Sequence, residues 1–382
     1  MTSLGAGSSI GSYILRHDFN SGANCRWAIA DRGGKEYFVK QFHKPKYPPD
    51  VLVGEIRENK LKRCKAFEDR HKKLVAGLIK VCAPGGNIVM PVDFFRLDLT
   101  YYHIAIKIDT TTLKPEQIAR ESVESRLMLI RLLARSLMTI HSQKIVHGDL
   151  KPDNILIKRS DGGILSPKII DFDGSFFCGS PPDREDMAFD QNYMSPEVMC
   201  YNKEDFAGHP IQPEWLCTSA DIFAVGILIH EYWTGRRPIL PEGYLYTADA
   251  VVAGKEVKLN LPGLDPDLRD LVQRTFLLDF KKRPAIEEID QAIGKQISRH
   301  RSGAVAPTTL TPVVTKPAAP LEPPPASGPT VRVKLGSFER KGTPSRPASG
   351  PTPASISAPV VETPTAPVVV RFSKNLKKGS GV

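Results

Sequence analysis

The stretch that most limits what this chain can fold into is His147-Gly148-Asp149-Leu150-Lys151-Pro152-Asp153-Asn154-Ile155-Leu156-Ile157, followed by Lys168-Ile169-Ile170-Asp171-Phe172-Asp173-Gly174. Its apolar runs read as short strands, with polar residues at fixed offsets on the loops between them. That order suits phosphoryl transfer. Asp149 can orient an acceptor hydroxyl, and Lys151, two residues on, brings a cation to the moving group. Asn154 and Asp171 offer oxygens to a divalent metal. The competing reading is a solvated turn whose charges cap a helix. Four polar residues in this order, each followed by an apolar run, argue against it.

With these residues in view, HGDLKPDNIL followed by IDFDG resembles the catalytic and metal-binding loops of the eukaryotic-type (Hanks-type) serine/threonine protein kinase family, in a bacterial-type soluble form. The resemblance spans about residues 13–298. It implies an α+β, two-lobed fold with ATP in the cleft: a small antiparallel β lobe carrying one helix over about 13–109, and a larger, mainly helical lobe over about 110–298. Residues 1–12 are expected to be a flexible leader. Two departures stand inside the motif: Gly148 where the family has Arg, and Asp173 where it has the last Gly of DFG.

Upstream, Tyr13 to Lys40 reads as strand, turn, strand, a Gly33-Gly34 turn, and a strand ending in Lys40. The family lays a glycine-rich hairpin over the phosphates so that backbone N–H groups approach the anion. The matching segment is Asn20-Ser21-Gly22-Ala23-Asn24-Cys25-Arg26-Trp27, where Gly22 is the one glycine kept and Asn20 can substitute through a left-handed conformation. Lys40, thirteen residues after Trp27, stands where the family places its ATP-pairing lysine. Phe38 replaces the Ala that roofs the adenine, and either stacks on the base or fills its pocket. Asp50 to Val81 is helical in period, with Phe67, Leu74 and Leu78 on one stripe. That helix is expected to supply the Glu that pairs with Lys40; Glu58 and Glu68 are the candidates, Glu68 preferred. Asn87–Val89 and Phe94–Ile108 alternate like a hairpin, leading to the interlobe connection near Lys107–Asp109.

In the second lobe Pro115 is expected to open one long helix whose Val123, Leu127, Ile130, Ala134, Leu137 and Ile140 face the core. His141 and His147 read as structural. Gly174 to Glu197 corresponds to the activation segment. Glu197 resembles the Glu of the APE motif, with Arg283 as its buried partner. Asp221, heading an apolar helix, is implied to hold the catalytic-loop backbone, and is also a candidate N-cap. Asp190 falls where serine/threonine kinases have a Thr, and could bind Lys151 or favour basic substrates. Because Gly148 leaves no Arg to neutralise, activity is expected to be independent of activation-segment phosphorylation at Ser175 or Ser180.

The net charge of +10 suggests nucleic acid until its distribution is read. From Arg299 to Val382 there are twelve Lys/Arg against three Glu, so about +9 belongs to the last 84 residues. Fifteen of the 33 prolines fall there too, and almost no aromatics. Such a segment cannot bury enough apolar surface to offset its ordering entropy, so 299–382 reads as a disordered, Pro-rich basic tail. Pro-Ala-Ser-Gly-Pro-Thr recurs in it at 325–330 and 347–352. The tail either docks on a protein partner by strand addition or acts as a spacer; sparse basic residues without aromatic interleaving make it a poor fit to nucleic acid. Six scattered cysteines without metal spacing, no basic-then-apolar leader and no long apolar run point to the cytoplasm and away from the membrane.

The leading expectation is an enzyme using ATP and Mg²⁺ (or Mn²⁺) to phosphorylate Ser/Thr of proteins. Asp149 and Lys151 would be catalytic and Asn154 and Asp171 metal-binding, with Lys40, Glu68, Asn20 and Gly22 also on the nucleotide. One alternative is a small-molecule phosphotransferase of the aminoglycoside or choline kinase type, which shares HGDL…N and IDFD. The other is a pseudokinase scaffold presenting its tail, suggested by Phe38 and the depleted glycine loop.

Overall fold

The computed structural model describes residues 4–22, 25–83, 85–108, 112–187, 189–203 and 211–303. All belong to one unit; the expected tail from 304 onward, the hairpin tip Ala23-Asn24 and Asp109 lie outside the described residues.

The first lobe is an antiparallel sheet with one helix against it. Its strands are β1 (Ser9–Ile10), β2 (Tyr13–Leu15), β3 (Asn20–Ser21), β4 (Cys25–Arg32), β5 (Lys35–Phe42), β6 (Pro91–Leu97) and β7 (Thr100–Ile106). They run in the order β1-β2-β4-β5-β7-β6, with β3 also paired to β4. Gly33 and Gly34 both have positive φ, the conformation that a two-residue hairpin turn demands. Strand alternation gives the sheet two apolar faces. Ala28, Ala30 and Val39 pack with Ile10, Tyr13, Leu15 and Ile104, whereas Phe42, Phe94 and Tyr101 meet helix α1 (Gly54–Ile79) through Cys64 and Phe67. Within the expected leader over 1–12, Ser9 and Ile10 are a correction. Ile10 is fully buried and Ser9–Ile10 pairs with β2, because a short apolar strand end closes the core that Tyr13 and Leu15 leave open.

The single long helix expected from Pro115 is two. A one-turn helix α2 (Pro115–Ile118) stops, and α3 (Val123–His141) starts afresh where the Ser122 hydroxyl caps the Ser125 N–H. The core stripe on α3 is as expected, with Leu127, Ile130, Ala134, Leu137 and Ile140 all buried. It delivers β8 (Ile145–Val146), the catalytic-loop segment, the hairpin β9 (Ile155–Arg159) and β10 (Leu165–Ile169), and β11 (Phe176–Phe177), which pairs with β8. Helices α4 (Pro196–Asn202), α5 (Ser219–Thr234), α6 (Thr247–Val252), α7 (Pro266–Arg274) and α8 (Ile286–Gly303) complete the lobe. Helix α5 is buried along nearly its whole length, which explains its uninterrupted apolar run. Helix α8 continues past the expected boundary at 298, tied by Arg299 to Asp265 and by Arg301 to Glu124. Among the described residues no helix is long and apolar enough to cross a membrane.

Candidate active site

Buried Asp221 organises the loop that carries Asp149. One carboxylate oxygen accepts the His147 N–H (2.8 Å) and lies 2.9 Å from His141 Nε2; the other accepts the Gly148 N–H (3.0 Å). Burial alone would raise the pKa of this carboxyl, but His141 and the loop N–H groups outweigh burial and hold it below its usual value. Asp221 sits in the first turn of α5; Thr218, not Asp221, takes the cap position. Gly148 has φ +84°, and a Cβ there would lie 2.9 Å from the Gly174 carbonyl oxygen. An arginine at this position would have to displace the second loop, so Gly148 is a consequence of how closely the two loops approach.

Asp149 is held on three sides. Asn154 donates its amide to the Asp149 carbonyl (2.7 Å) and to Oδ2 (2.9 Å), Lys151 Nζ lies 2.8 Å from Oδ2, and the Asp190 N–H donates to Oδ1 at 3.1 Å. Lys151 also lies 4.0 Å from Asp190 Oδ2, so Asp190 reaches both the carboxylate and the ammonium. With the Asn154 side-chain nitrogen used on Asp149, its side-chain oxygen Oδ1 is left to take a further partner.

The two loops are stitched together through Ile170. Its N–H donates to the Asn154 carbonyl at 3.0 Å, and its own carbonyl lies 3.0 Å from His147 Nε2. Asp171 follows with φ +64°, a left-handed conformation that Asp tolerates better than most residues. Its carboxylate meets Lys40, whose Nζ lies 2.8 and 2.7 Å from the two Asp171 oxygens and 2.6 Å from Asp173 Oδ2. Burial works against the Lys40 charge, but Asp173 and Asp171 outweigh it and raise its pKa above the usual lysine value. Asp173 is likewise opposed by burial, yet Lys40, His103 and His71 hold it well below the usual carboxylate range.

The expected pairing of Lys40 with a glutamate of α1 is not made. The Tyr101 hydroxyl donates to Glu68 at 2.8 Å and Lys72 lies 3.8 Å away, while Glu58 is exposed. The residue of α1 that faces the cleft is buried His71, ring-stacked on Phe94 at 4.5 Å, with Nε2 3.8 Å from Asp173. His103 on β7 approaches the same Asp173 oxygen at 3.3 Å. Neither histidine belongs to a motif in the sequence. His71 sits on the very stripe formed by Phe67, Leu74 and Leu78, and that was the available signal.

Above Lys40, β4 and β5 pair Trp27 with Lys40 and Ile29 with Phe38. Trp27 and Phe38 therefore share the face of Lys40, and their rings stack at 5.6 Å and 22°. Asn20 pairs with Trp27 in the β3–β4 hairpin, and the Gly22 N–H donates to the Cys25 carbonyl at 2.8 Å. Asn20 is an ordinary extended strand residue, so its expected left-handed conformation is not adopted. Among the described residues no cluster of three His, Cys, Asp or Glu is arranged to hold a metal ion. Asn154 and Asp171 nonetheless present hard oxygens of the kind Mg²⁺ takes when phosphate and water complete its shell.

At the far end of the activation segment, Arg283 grips Glu197 with two bonds of 2.7 and 2.8 Å, both side chains buried, and donates to the Ser219 carbonyl. Ser175 is fully buried and donates to the His147 carbonyl at 2.8 Å, whereas Ser180 is exposed.

Residues 21–292 match the model of the protein kinase domain family. Among curated proteins the chain is similar to a serine/threonine-protein kinase ULK3 of Xenopus laevis, 28% identical over 46% of this chain and 33% of that protein. It is similar to a CDPK-related kinase 7 of Arabidopsis thaliana, 25% identical over 61% of this chain and 39% of that protein. An L-type lectin-domain containing receptor kinase V.9 of the same plant is 31% identical over 50% of this chain and 24% of that protein. The chain thus spans well under half the length of these relatives.

Proposed function

The chain belongs to the protein kinase family, and from that premise we propose that it is an ATP-dependent serine/threonine protein kinase. The observation that carries the reading is the meeting of Lys40, from the first lobe, with Asp171, from the second, beside a loop that holds Asp149, Lys151 and Asn154 together. Asp149, fixed by Asn154 and by the Asp190 N–H, orients the acceptor hydroxyl and takes its proton. Lys151 stands against the same carboxylate and neutralises charge on the transferring group. Lys40 positions the ATP phosphates. Asn154 and Asp171 would hold Mg²⁺ or Mn²⁺, which would supply charge neutralisation on the phosphates; Asp171 also bonds Lys40. Asn20 and Gly22 lie on the hairpin that would cover the phosphates, and the Trp27–Phe38 pair offers an aromatic plate to the base.

A protein acceptor is favoured over a small alcohol by the Glu197–Arg283 clamp and the Asp221 anchor, which fasten the end of the activation segment and the loop carrying Asp149. The names of the relatives favour Ser/Thr hydroxyls. Free thiols at all six cysteines suit a cytoplasmic enzyme, and docking of the tail on a protein partner belongs to the same proposal.

The test is incubation of the full chain with γ-labelled ATP and Mg²⁺, alone and with a generic basic protein or small alcohols. Asp149→Asn and Lys40→Met variants run alongside. Label on protein, reduced roughly 10²–10⁴-fold by Asp149→Asn, is expected for loss of a positioned base. ATP binding without transfer would mean a pseudokinase, and label only on a small alcohol would mean the other alternative.

A further inference from the structure

Lys40 has two carboxylate partners, and neither comes from helix α1. Asp171 is committed elsewhere if it holds a metal ion. Asp173 is free of that competing demand. One of its oxygens bonds Lys40 at 2.6 Å, and the other faces His103 at 3.3 Å and His71 at 3.8 Å. Around this partly buried carboxylate the groups that can carry charge are Lys40 from β5, His71 from α1, His103 from β7 and Asp171 from its own loop, with Arg70 of α1 close enough to interact with it. Meanwhile Glu68, the helix carboxylate that the family resemblance assigns to Lys40, is bonded to Tyr101 instead.

We propose that Asp173 is the positioning residue for Lys40: it replaces the helix glutamate, carries that role from α1 onto the metal-binding loop, and turns its other oxygen toward His71 and His103. The ammonium and the loop carboxylates then form one preassembled unit. The place of Lys40 in the cleft no longer depends on a charged residue of α1. The departure Asp173 and the missing Lys40–glutamate pair are thus one exchange seen from two sides. A carboxylate appears on the loop, and the helix position facing the cleft is filled by an aromatic imidazole that stacks on Phe94 and lies 3.8 Å from the new carboxylate.

This inference rests on the kinase reading, and the experiment separates the two. In the full chain, Asp173→Asn keeps the shape and one acceptor oxygen but removes the charge; Glu68→Gln and Glu58→Gln are its counterparts on α1. Two quantities are measured. One is kcat and KM for ATP in phosphoryl transfer. The other is the rate at which acetic anhydride acetylates Lys40, relative to exposed lysines, by mass spectrometry. The expected result is a fall in kcat of at least tenfold for Asp173→Asn, with Lys40 acetylated at least threefold faster. Both glutamate variants should stay within twofold of the wild type on both measures. A kcat for Asp173→Asn within threefold of the wild type, or above it, overturns the proposal. So does a fall in kcat with unchanged Lys40 acetylation, which would mark Asp173 as a structural prop only. Loss of transfer in Glu68→Gln overturns it too, and that arm decides even if Asp173→Asn fails to fold. If the wild type transfers nothing, the kinase reading fails, while Lys40 acetylation still reports whether Asp173 holds the ammonium.

Discussion

Two residues show how far local chemistry determines this site. Gly148 combines a left-handed backbone with a neighbour 2.9 Å from where a Cβ would stand, and its N–H is one of the bonds to Asp221. Gly148→Ala should therefore cost about 2 kcal/mol, from left-handed strain and the displaced Gly174 carbonyl. It should lower the thermal midpoint and slow transfer; an unchanged midpoint would contradict this account of the loop contact. Asp171, Lys40 and the Asp149 loop were legible in the sequence because their spacing lies within short segments whose strands and turns are locally encoded. The partner of Lys40 was not. Glu58, Glu68 and His71 all occupy one long charged helix, and which of them faces the cleft depends on how α1 docks on Phe42, Phe94 and Tyr101. His71 reaches inward because it shares the buried stripe, while Glu68 turns to Tyr101.

Among the elements, the activation segment is fastened at both ends by its own side chains. At its start, buried Ser175 bonds the His147 carbonyl and so supports the catalytic loop itself. Midway, Arg63 of α1 bonds Glu185 and Asp186 at 3.2 and 2.7 Å, exposed pairs worth about 0–1 kcal/mol each. At its end, Arg283 clamps Glu197. Removing one partner of that buried pair strands a charge, so Glu197→Ala should destabilise the fold by roughly 3–5 kcal/mol in denaturant titration. A cost below about 1 kcal/mol would show the pair to be dispensable. The expectation that activity needs no phosphate on this segment is now best tested at Ser180 alone. Ser180→Ala should transfer phosphate at the wild-type rate, whereas Ser175→Ala should lose activity through the lost bond to His147. Loss of activity in Ser180→Ala would contradict the expectation. The break between α2 and α3 went unread for a related reason: the apolar stripe fits the core as one helix or two, and Ser122, which ends the ambiguity, is marked only by its capping chemistry.

For the molecule as a whole, the described lobes form around near-neutral chemistry, with the basic excess placed by the sequence beyond residue 299. Among the groups that link stability to pH, buried Glu231 is shifted upward. Burial pushes Glu231 up to about 7, although the Tyr193 hydroxyl and Arg237 favour its anion. Its folded pKa therefore exceeds the unfolded one, and the native state binds more protons between roughly pH 4.5 and 7. Stability contributed by this group falls as pH rises through that window, by at most about 3 kcal/mol, and levels off above it. Because His71 and His230, both pushed down by burial, act in the opposite sense, the test is the difference between wild type and Glu231→Gln: it should fall as pH rises from about 4.5 to 7, and a difference that rises would refute the assignment.

The measurement that bears most directly on the central claim is mass spectrometry of the chain and a basic acceptor protein after incubation with Mg²⁺ and ATP whose terminal phosphoryl oxygens carry ¹⁸O. The account predicts heavy phosphate on Ser and Thr hydroxyls with the wild type, and its disappearance in Asp149→Asn although that variant still binds nucleotide. Phosphate appearing equally with Asp149→Asn, or absent from the wild type despite bound ATP, would contradict it.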